Sequence, residues 1–373
     1  METTTLNWSQ RMVDSVMIRN PLLSEGVQSD KWSYDYGVVL KGTELVWKKT
    51  GDPKYFKYMK ENMDAFVDAE GNIRGYDSQL FNIDHINNGK VLLTLYKETG
   101  EQKYKKAIDR LRKQLQSHPR TSEGVFWHKQ VYPWQIWLDG LYMGAPFYAE
   151  YVKEYGTEEE FADITKQYIL CAKNTKDDKS GLLYHAFDEK KVQPWCNPAT
   201  GHSKNFWGRS MGWFVMGLVD TLSFLPDTHK DRTTLVTLLE EVLQALKNVQ
   251  DDKSGVWYQV LDKADCKGNY LEASASCMIL YAVAKGVRLK LLSEEWSAVA
   301  DKAYKGIIDE FITVTNEGLV NLNRTCQVAG LGGADNRDGT FEYYISEPII
   351  TNDLKGIGAF ILASSEMEQG DGK

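Results

Sequence analysis

DDKSGLLYH (Asp177–His185) and DDKSGVWYQ (Asp251–Gln259) are near copies of one another. SEGVFWHK (Ser122–Lys129) is a third copy, and NEGLVNL (Asn316–Leu322) is a weaker fourth. The three clearer copies share a glycine, two apolar residues, an aromatic, and then His128, His185 or Gln259. Each repeat separates two kinds of helical pattern. Before the repeats run amphipathic stripes, such as Tyr104, Ala107, Ile108, Leu111 and Leu115, or Leu235, Leu239, Val242 and Leu246. Their spacing of three and four residues, with charged residues between, predicts surface helices. After the repeats come stretches that are apolar nearly all round: GLYMGAPFYAEYV (from Gly140), SMGWFVMGLVDTL (from Ser210), SASCMILYAVAKGV (from Ser274) and GIGAFILAS (from Gly356). Helices of that composition need burial on most faces.

A second junction also recurs, in TGDPKYFKYM (from Thr50), TGEQKYKKAI (from Thr99) and YGTEEEF (from Tyr155). It joins each inner helix to the next outer one. With inner candidates over 37–49 and 89–98, outer candidates over 54–67 and 158–173, and an N-terminal stripe from Trp8 to Met17, twelve helices alternate outer and inner. Six helical hairpins of about 62 residues each can close into a ring, giving every outer stripe a buried neighbour. The expected fold is therefore all-α, an (α/α)6 barrel forming a single catalytic domain over residues 1–373. An open solenoid is the competing architecture, and its repeats are usually more uniform. In a closed ring the repeated junctions share one mouth, toward which His128, His185 and Gln259 would point.

The bulk composition narrows the function. The 373 residues carry a net charge of -8, and the basic residues are scattered, so no basic stripe invites nucleic acid. The N-terminal stretch lacks the charged and apolar regions of a secretion signal, and no apolar run approaches the roughly 20 residues of a membrane span. A soluble, cytoplasmic protein with no membrane partner is expected. Five widely spaced cysteines without a CxxC pair suit reduced thiols. Metal, nucleotide and serine-hydrolase motifs are missing, so neither a metal nor a cofactor is expected. The excess is aromatic: 11 Trp and 20 Tyr, many beside glycine, histidine or acids. That suits either stacking against ring-shaped ligands or an aromatic core.

Three constellations carry candidate chemistry. In WLDGLYMG (Trp137–Gly144), Asp139 stands just before a buried helix and reads equally as an N-cap or as a catalytic acid. In FNIDHINNGK (Phe81–Lys90), Asp84 stands before the preceding inner helix, one hairpin away at the same mouth. Two carboxylates there could face one ligand, with one kept protonated by proximity and desolvation; a second helix cap is the alternative. In NFWGRSMGWF (Asn205–Phe214), Arg209 lies between Trp207 and Trp213 and could clamp a substrate carboxylate or simply pair with an internal acid. The repetition around His128 and His185 itself favours a structural element. LGGADNRDGT (Leu331–Thr340) reads as a rim or lid loop bearing Arg337.

At FNIDHINNGK, GVFWHK, WLDGLYMG, GLLYHAFDE, FWGRSMGW, GLGGADNRDGTFEYYISEP and TNDLKGIG the chain resembles glycoside hydrolase family 105, the unsaturated rhamnogalacturonyl hydrolases, almost end to end. WLDGLYMG also occurs in looser form in the family 88 unsaturated glucuronyl hydrolases, whereas RDGTFEYYISEP points to family 105. The resemblance implies a cofactor-free (α/α)6 barrel acting on a small oligosaccharide with an unsaturated galacturonyl residue at its non-reducing end. It implies Asp139 as general acid and base and Asp84 as the second acid. It also implies pocket positions for His128, Lys129, Trp137, Met143, His185, Trp207, Arg209 and Trp213. Four other readings compete: a glucuronyl hydrolase on glycosaminoglycan-type disaccharides, an ordinary inverting glycosidase, a sugar epimerase on a similar barrel, and a non-catalytic sugar-binding protein.

Overall fold

The second junction shows how the helices are turned. In TGDPKYFKYM, Thr50 Oγ1 accepts the Asp52 N–H (3.2 Å), and the Asp52 side chain then caps the next helix by accepting from Lys54 N, with Pro53 in the first turn. Thr99 Oγ1 accepts from Glu101 N in the same way (3.2 Å). A hydroxyl and an acid thus satisfy backbone donors left free where one helix stops and another starts.

A computed structural model describes residues 7–25, 30–335 and 337–368. Among the described residues the helices are α1 (Trp8–Arg19), α2 (Tyr34–Thr50), α3 (Pro53–Asp64), α4 (Gly89–Thr99), α5 (Gln102–Ser117), α6 (Leu138–Tyr155) and α7 (Phe161–Thr175). They continue as α8 (Gly208–Leu222), α9 (Arg232–Lys247), α10 (Ala273–Arg288), α11 (Ser297–Phe311), the short α12 (Phe341–Ser346) and α13 (Leu354–Met367). Helices α2, α4, α6, α8, α10 and α13 neighbour one another in that order, and α13 returns to pack on α2, so the inner ring closes. Outside it, α1 lies against α13 and α2, α3 against α2 and α4, α5 against α4 and α6, α9 against α8 and α10, and α11 against α10 and α13, while α7 packs on α6. This is the (α/α)6 barrel; closure excludes the open solenoid.

Burial follows the two patterns. In α5 the apolar stripe Tyr104, Ala107, Ile108, Leu111 and Leu115 is buried, whereas in α8 every residue except Asp220 is buried. Withdrawing a side chain of leucine size from water is worth about 1.5–3 kcal/mol, so a helix apolar all round is stable only with neighbours on every side.

The repeated segments turn out to be β-like clamps. In DDKSG, Asp177 Oδ2 accepts from Ser180 N and Oγ, and Asp251 Oδ2 does the same for Ser254. Gly181 and Gly255 follow with φ of 74° and 79°, a left-handed turn that favours glycine. The chain then returns along the mouth and hands a carbonyl to the start of an inner element. His128 O accepts from Ile83 N (3.2 Å), His185 O from Leu138 N (3.1 Å) and Gln259 O from Gly208 N (2.9 Å). A short two-stranded ribbon forms beside the second of these bonds, Gln135–Trp137 with Ala186–Asp188, antiparallel, with Trp137 opposite Ala186. The all-helical expectation thus holds for the ring, with three short two-stranded ribbons added among the described residues. No helix among the described residues is long and apolar enough to cross a membrane.

Candidate active site

The starts of α2, α6 and α13, together with the Ile83–Ile86 3-10 turn before α4, surround a cavity of about 390 Å³. That size suits a sugar-sized ligand. Tyr34 and Asp35 enter it from α2, Asp84 and His85 from the turn, Asp139 and Met143 from α6, and Asp353 and Lys355 from the start of α13. The clamps supply His128, Lys129, Tyr132 and Trp137, and the late segment supplies Gln327, Val328 and Arg337.

Local pairing brings the acids to this cavity. Ile83 bonds to the His128 carbonyl, so Asp84 meets the residues that follow: its Oδ2 is 2.7 Å from Lys129 Nζ and its Oδ1 3.6 Å from His128 Nε2. Leu138 bonds to the His185 carbonyl, which sets Asp139 Oδ2 3.2 Å from His185 Nε2. The glycines of WLDGLYMG permit the approach between the two groups, since a Cβ on Gly144 would stand 2.9 Å from Ile83 Cδ1.

Neither acid is a helix cap. Asn82 caps the turn by accepting from Asp84 N, and Trp137 occupies the N-cap of α6 without a capping side chain. Asp139 therefore lies inside the first turn, two residues further into the helix than the N-cap position the sequence suggested. The two carboxylates have different surroundings. Burial pushes Asp84 up, but Lys129 and His128 outweigh it and hold the carboxyl below its ordinary range. His128 is itself pushed down to about 4, chiefly by burial against the opposing pull of Asp84. Near neutral pH it is an uncharged imidazole, and Lys129 is the cation that pairs with Asp84. Asp139 keeps 13% of its side chain exposed, while its Oδ2 is buried without a hydrogen bond.

Trp137 stacks on His128 (centroids 4.7 Å, 2°) and on Tyr132 (5.0 Å, 14°), and Arg337 Nη2 donates to Tyr132 OH (3.1 Å). The structure thus brings Asp84, His128, Lys129, Trp137, Asp139 and Met143 to the cavity. Four expected pocket residues stand behind its lining. His185 is buried beneath Asp139, and Trp207 packs on His185 (4.7 Å) while donating to Gln259 Oε1 (3.0 Å). Trp213 stacks on Tyr142 (4.7 Å) and meets the edge of Tyr34 (6.2 Å), supporting the floor. Arg209 is fully engaged: it faces Glu272 (3.5 Å) and donates to Ser274 Oγ (2.7 Å), Cys326 O and Gln327 O (3.4 Å). Of the two readings the sequence left open for Arg209, the internal ion pair is the one made in this structure, and it holds the segment that carries Gln327. Gln259 likewise turns inward, toward Trp207 and the Tyr344 carbonyl (3.0 Å), rather than into the mouth.

Tyr34, Asp35, Asp353 and Lys355 went unread in the sequence. The rule that located Asp84 and Asp139, that inner helices begin at the mouth, also points to them. Among the described residues no group of His, Cys, Asp and Glu could hold a metal ion.

Fold and cavity together define a helical-barrel enzyme with Asp84 and Asp139 among the carboxylates that line a sugar-sized site. A family model described as Glycosyl Hydrolase Family 88 matches residues 8–370. A solved glycoside hydrolase from family 105 of C. acetobutylicum ATCC 824 is 56% identical, with a TM-score of 0.95 over 97% of this chain and 99% of that one. The unsaturated rhamnogalacturonyl hydrolase YesR of Bacillus subtilis is 28% identical over 306 residues, covering 79% of this chain and 83% of that protein. The unsaturated glucuronyl hydrolase of Bacillus sp. GL1 shares the fold (TM-score 0.71, 13% identity, 97% of this chain and 95% of that one). The chain belongs to the family 88 and 105 glycoside hydrolases.

Proposed function

We propose that this glycoside hydrolase, as one cytoplasmic catalytic domain, removes the 4,5-unsaturated galacturonyl residue from the non-reducing end of rhamnogalacturonan-derived oligosaccharides. The observation that carries the reading is the pair of carboxylates lining one cavity, with Asp84 held charged by Lys129 and Asp139 Oδ2 without a hydrogen-bonded partner among the described residues. The likeness to the unsaturated rhamnogalacturonyl hydrolase YesR supports the substrate class.

Ordinary glycosidases set two acids across the scissile bond. An unsaturated uronide offers a different handle, an enol ether. Protonated Asp139 delivers its proton to C4 of the C4=C5 bond, and positive character forms at C5, shared with the ring oxygen. The Asp139 carboxylate then takes a proton from the water that attacks C5, so one water adds across the double bond and the acid is restored. The hemiketal opens and the aglycone leaves. Asp84 and Lys129 hold sugar hydroxyls, and the uronate carboxylate meets the cavity cations Lys129, Arg337 and Lys355, since Arg209 stands behind the lining.

The test follows the enoate ultraviolet absorbance of unsaturated galacturonyl-rhamnose, unsaturated digalacturonide and an unsaturated glycosaminoglycan disaccharide, with saturated chromogenic glycosides beside them. The expected result is fastest loss with galacturonyl-rhamnose and one deuterium at C4 of the product formed in heavy water. Turnover of saturated glycosides alone would overturn the reading.

A further inference from the structure

The late segment reaches the acid from behind. Tyr344, on α12, is 0% exposed, and its hydroxyl lies 2.7 Å from His185 Nδ1. The opposite nitrogen of that buried imidazole, Nε2, faces Asp139 Oδ2 at 3.2 Å. Tyr344 is fixed independently of its hydroxyl: its carbonyl accepts from Gln259 Nε2 (3.0 Å), its ring lies along Trp207 (6.1 Å, 25°), and Thr340 caps α12 through Tyr343 N (3.2 Å).

A buried phenol left without an acceptor costs about 1–3 kcal/mol, and His185 Nδ1 is the one hydrogen-bond partner of this hydroxyl among the described residues. Burial keeps the phenol protonated, so it donates. A neutral imidazole that accepts at Nδ1 carries its proton on Nε2. We propose that Tyr344 is a positioning residue for Asp139, holding His185 in the Nε2–H tautomer so that the imidazole donates to the Asp139 carboxylate once its proton has passed to substrate. This rests on reading Asp139 as the proton donor. His185 neither gains nor loses a proton in the cycle; the proton given to C4 is replaced from the attacking water. The Oδ2 and Nε2 atoms are near but not yet aligned for a hydrogen bond, as in many unliganded sites.

Tyr344→Phe keeps the ring and removes the donor. Loss of one such interaction at the transition state lowers kcat about tenfold, with KM within about twofold. A carboxylate deprived of a donor holds its proton more tightly, so the alkaline fall of kcat moves to higher pH. Unchanged kcat and pH profile in Tyr344→Phe would overturn the proposal. Long-range proton–nitrogen spectra of histidine-labelled wild-type protein, with His185→Gln for assignment, read the tautomer directly. Nε2–H at His185 supports the proposal and Nδ1–H overturns it, without any need for the tyrosine variant to fold. An Asp139→Asn enzyme with wild-type kcat would instead sink the assignment of Asp139.

Discussion

Asp84 and Asp139 share a cavity and a residue type, yet one has a lysine at 2.7 Å and the other an imidazole at 3.2 Å. That asymmetry is the basis for the separate roles proposed for the two carboxylates. Arg209 shows the reverse case, a residue whose type suggests ligand binding but whose partners are internal. Removing one partner of a buried ion pair costs about 3–5 kcal/mol. Arg209→Met is expected to lose that order of stability by urea unfolding, because Glu272 is left buried and uncompensated. A variant of wild-type stability with a raised KM would restore the clamp. The acids were legible because each precedes an inner helix in a distinctive motif. The partners of Arg209 were not: Glu272, Cys326 and Gln327 are remote in sequence and meet it only when the ring closes.

The clamps are the elements on which the site depends, since each couples one hairpin to the start of another. Their sequence repeat was plain, but its meaning as backbone pairing was hidden. A ribbon three residues long has no periodicity to detect, and its partner lies in another hairpin. The late glycine-rich segment was read only as a rim, yet α12 carries Tyr344 into the core. A side chain at a left-handed glycine costs about 1–2 kcal/mol. Gly181→Ala is expected to lose about that much, because its Cβ meets only Ala245 Cβ at 3.2 Å. Gly255→Ala should lose more, since its Cβ would stand 2.6 Å from the Lys302 carbonyl oxygen. Equal urea midpoints for the two variants would contradict this account of the repeat.

For the whole molecule, ring closure buries polar groups as well as apolar ones. His85, His118 and His128 are all pushed down to about 4, with burial the largest cause in each. In the unfolded chain they titrate near 6.5. Between those values the unfolded state binds more protons, so stability falls as pH drops from about 6.5 toward 4, by up to about 1.4 kcal/mol per pH unit for each histidine. Urea midpoints that stay level over that window would show these imidazoles to be less buried than described. The ring itself was legible from alternating stripes and repeated junctions, whereas the shape of the cavity depended on loops with no pattern of their own. The proposed cycle turns on Asp139 as the group that protonates the double bond. The most direct test is the initial rate at which Asp139→Asn removes the enoate absorbance of unsaturated galacturonyl-rhamnose, with a thermal melt to confirm folding. A folded variant slowed by about 10²–10⁴-fold is predicted, the range a positioned acid and base supplies; a folded variant turning over near the wild-type rate would contradict it.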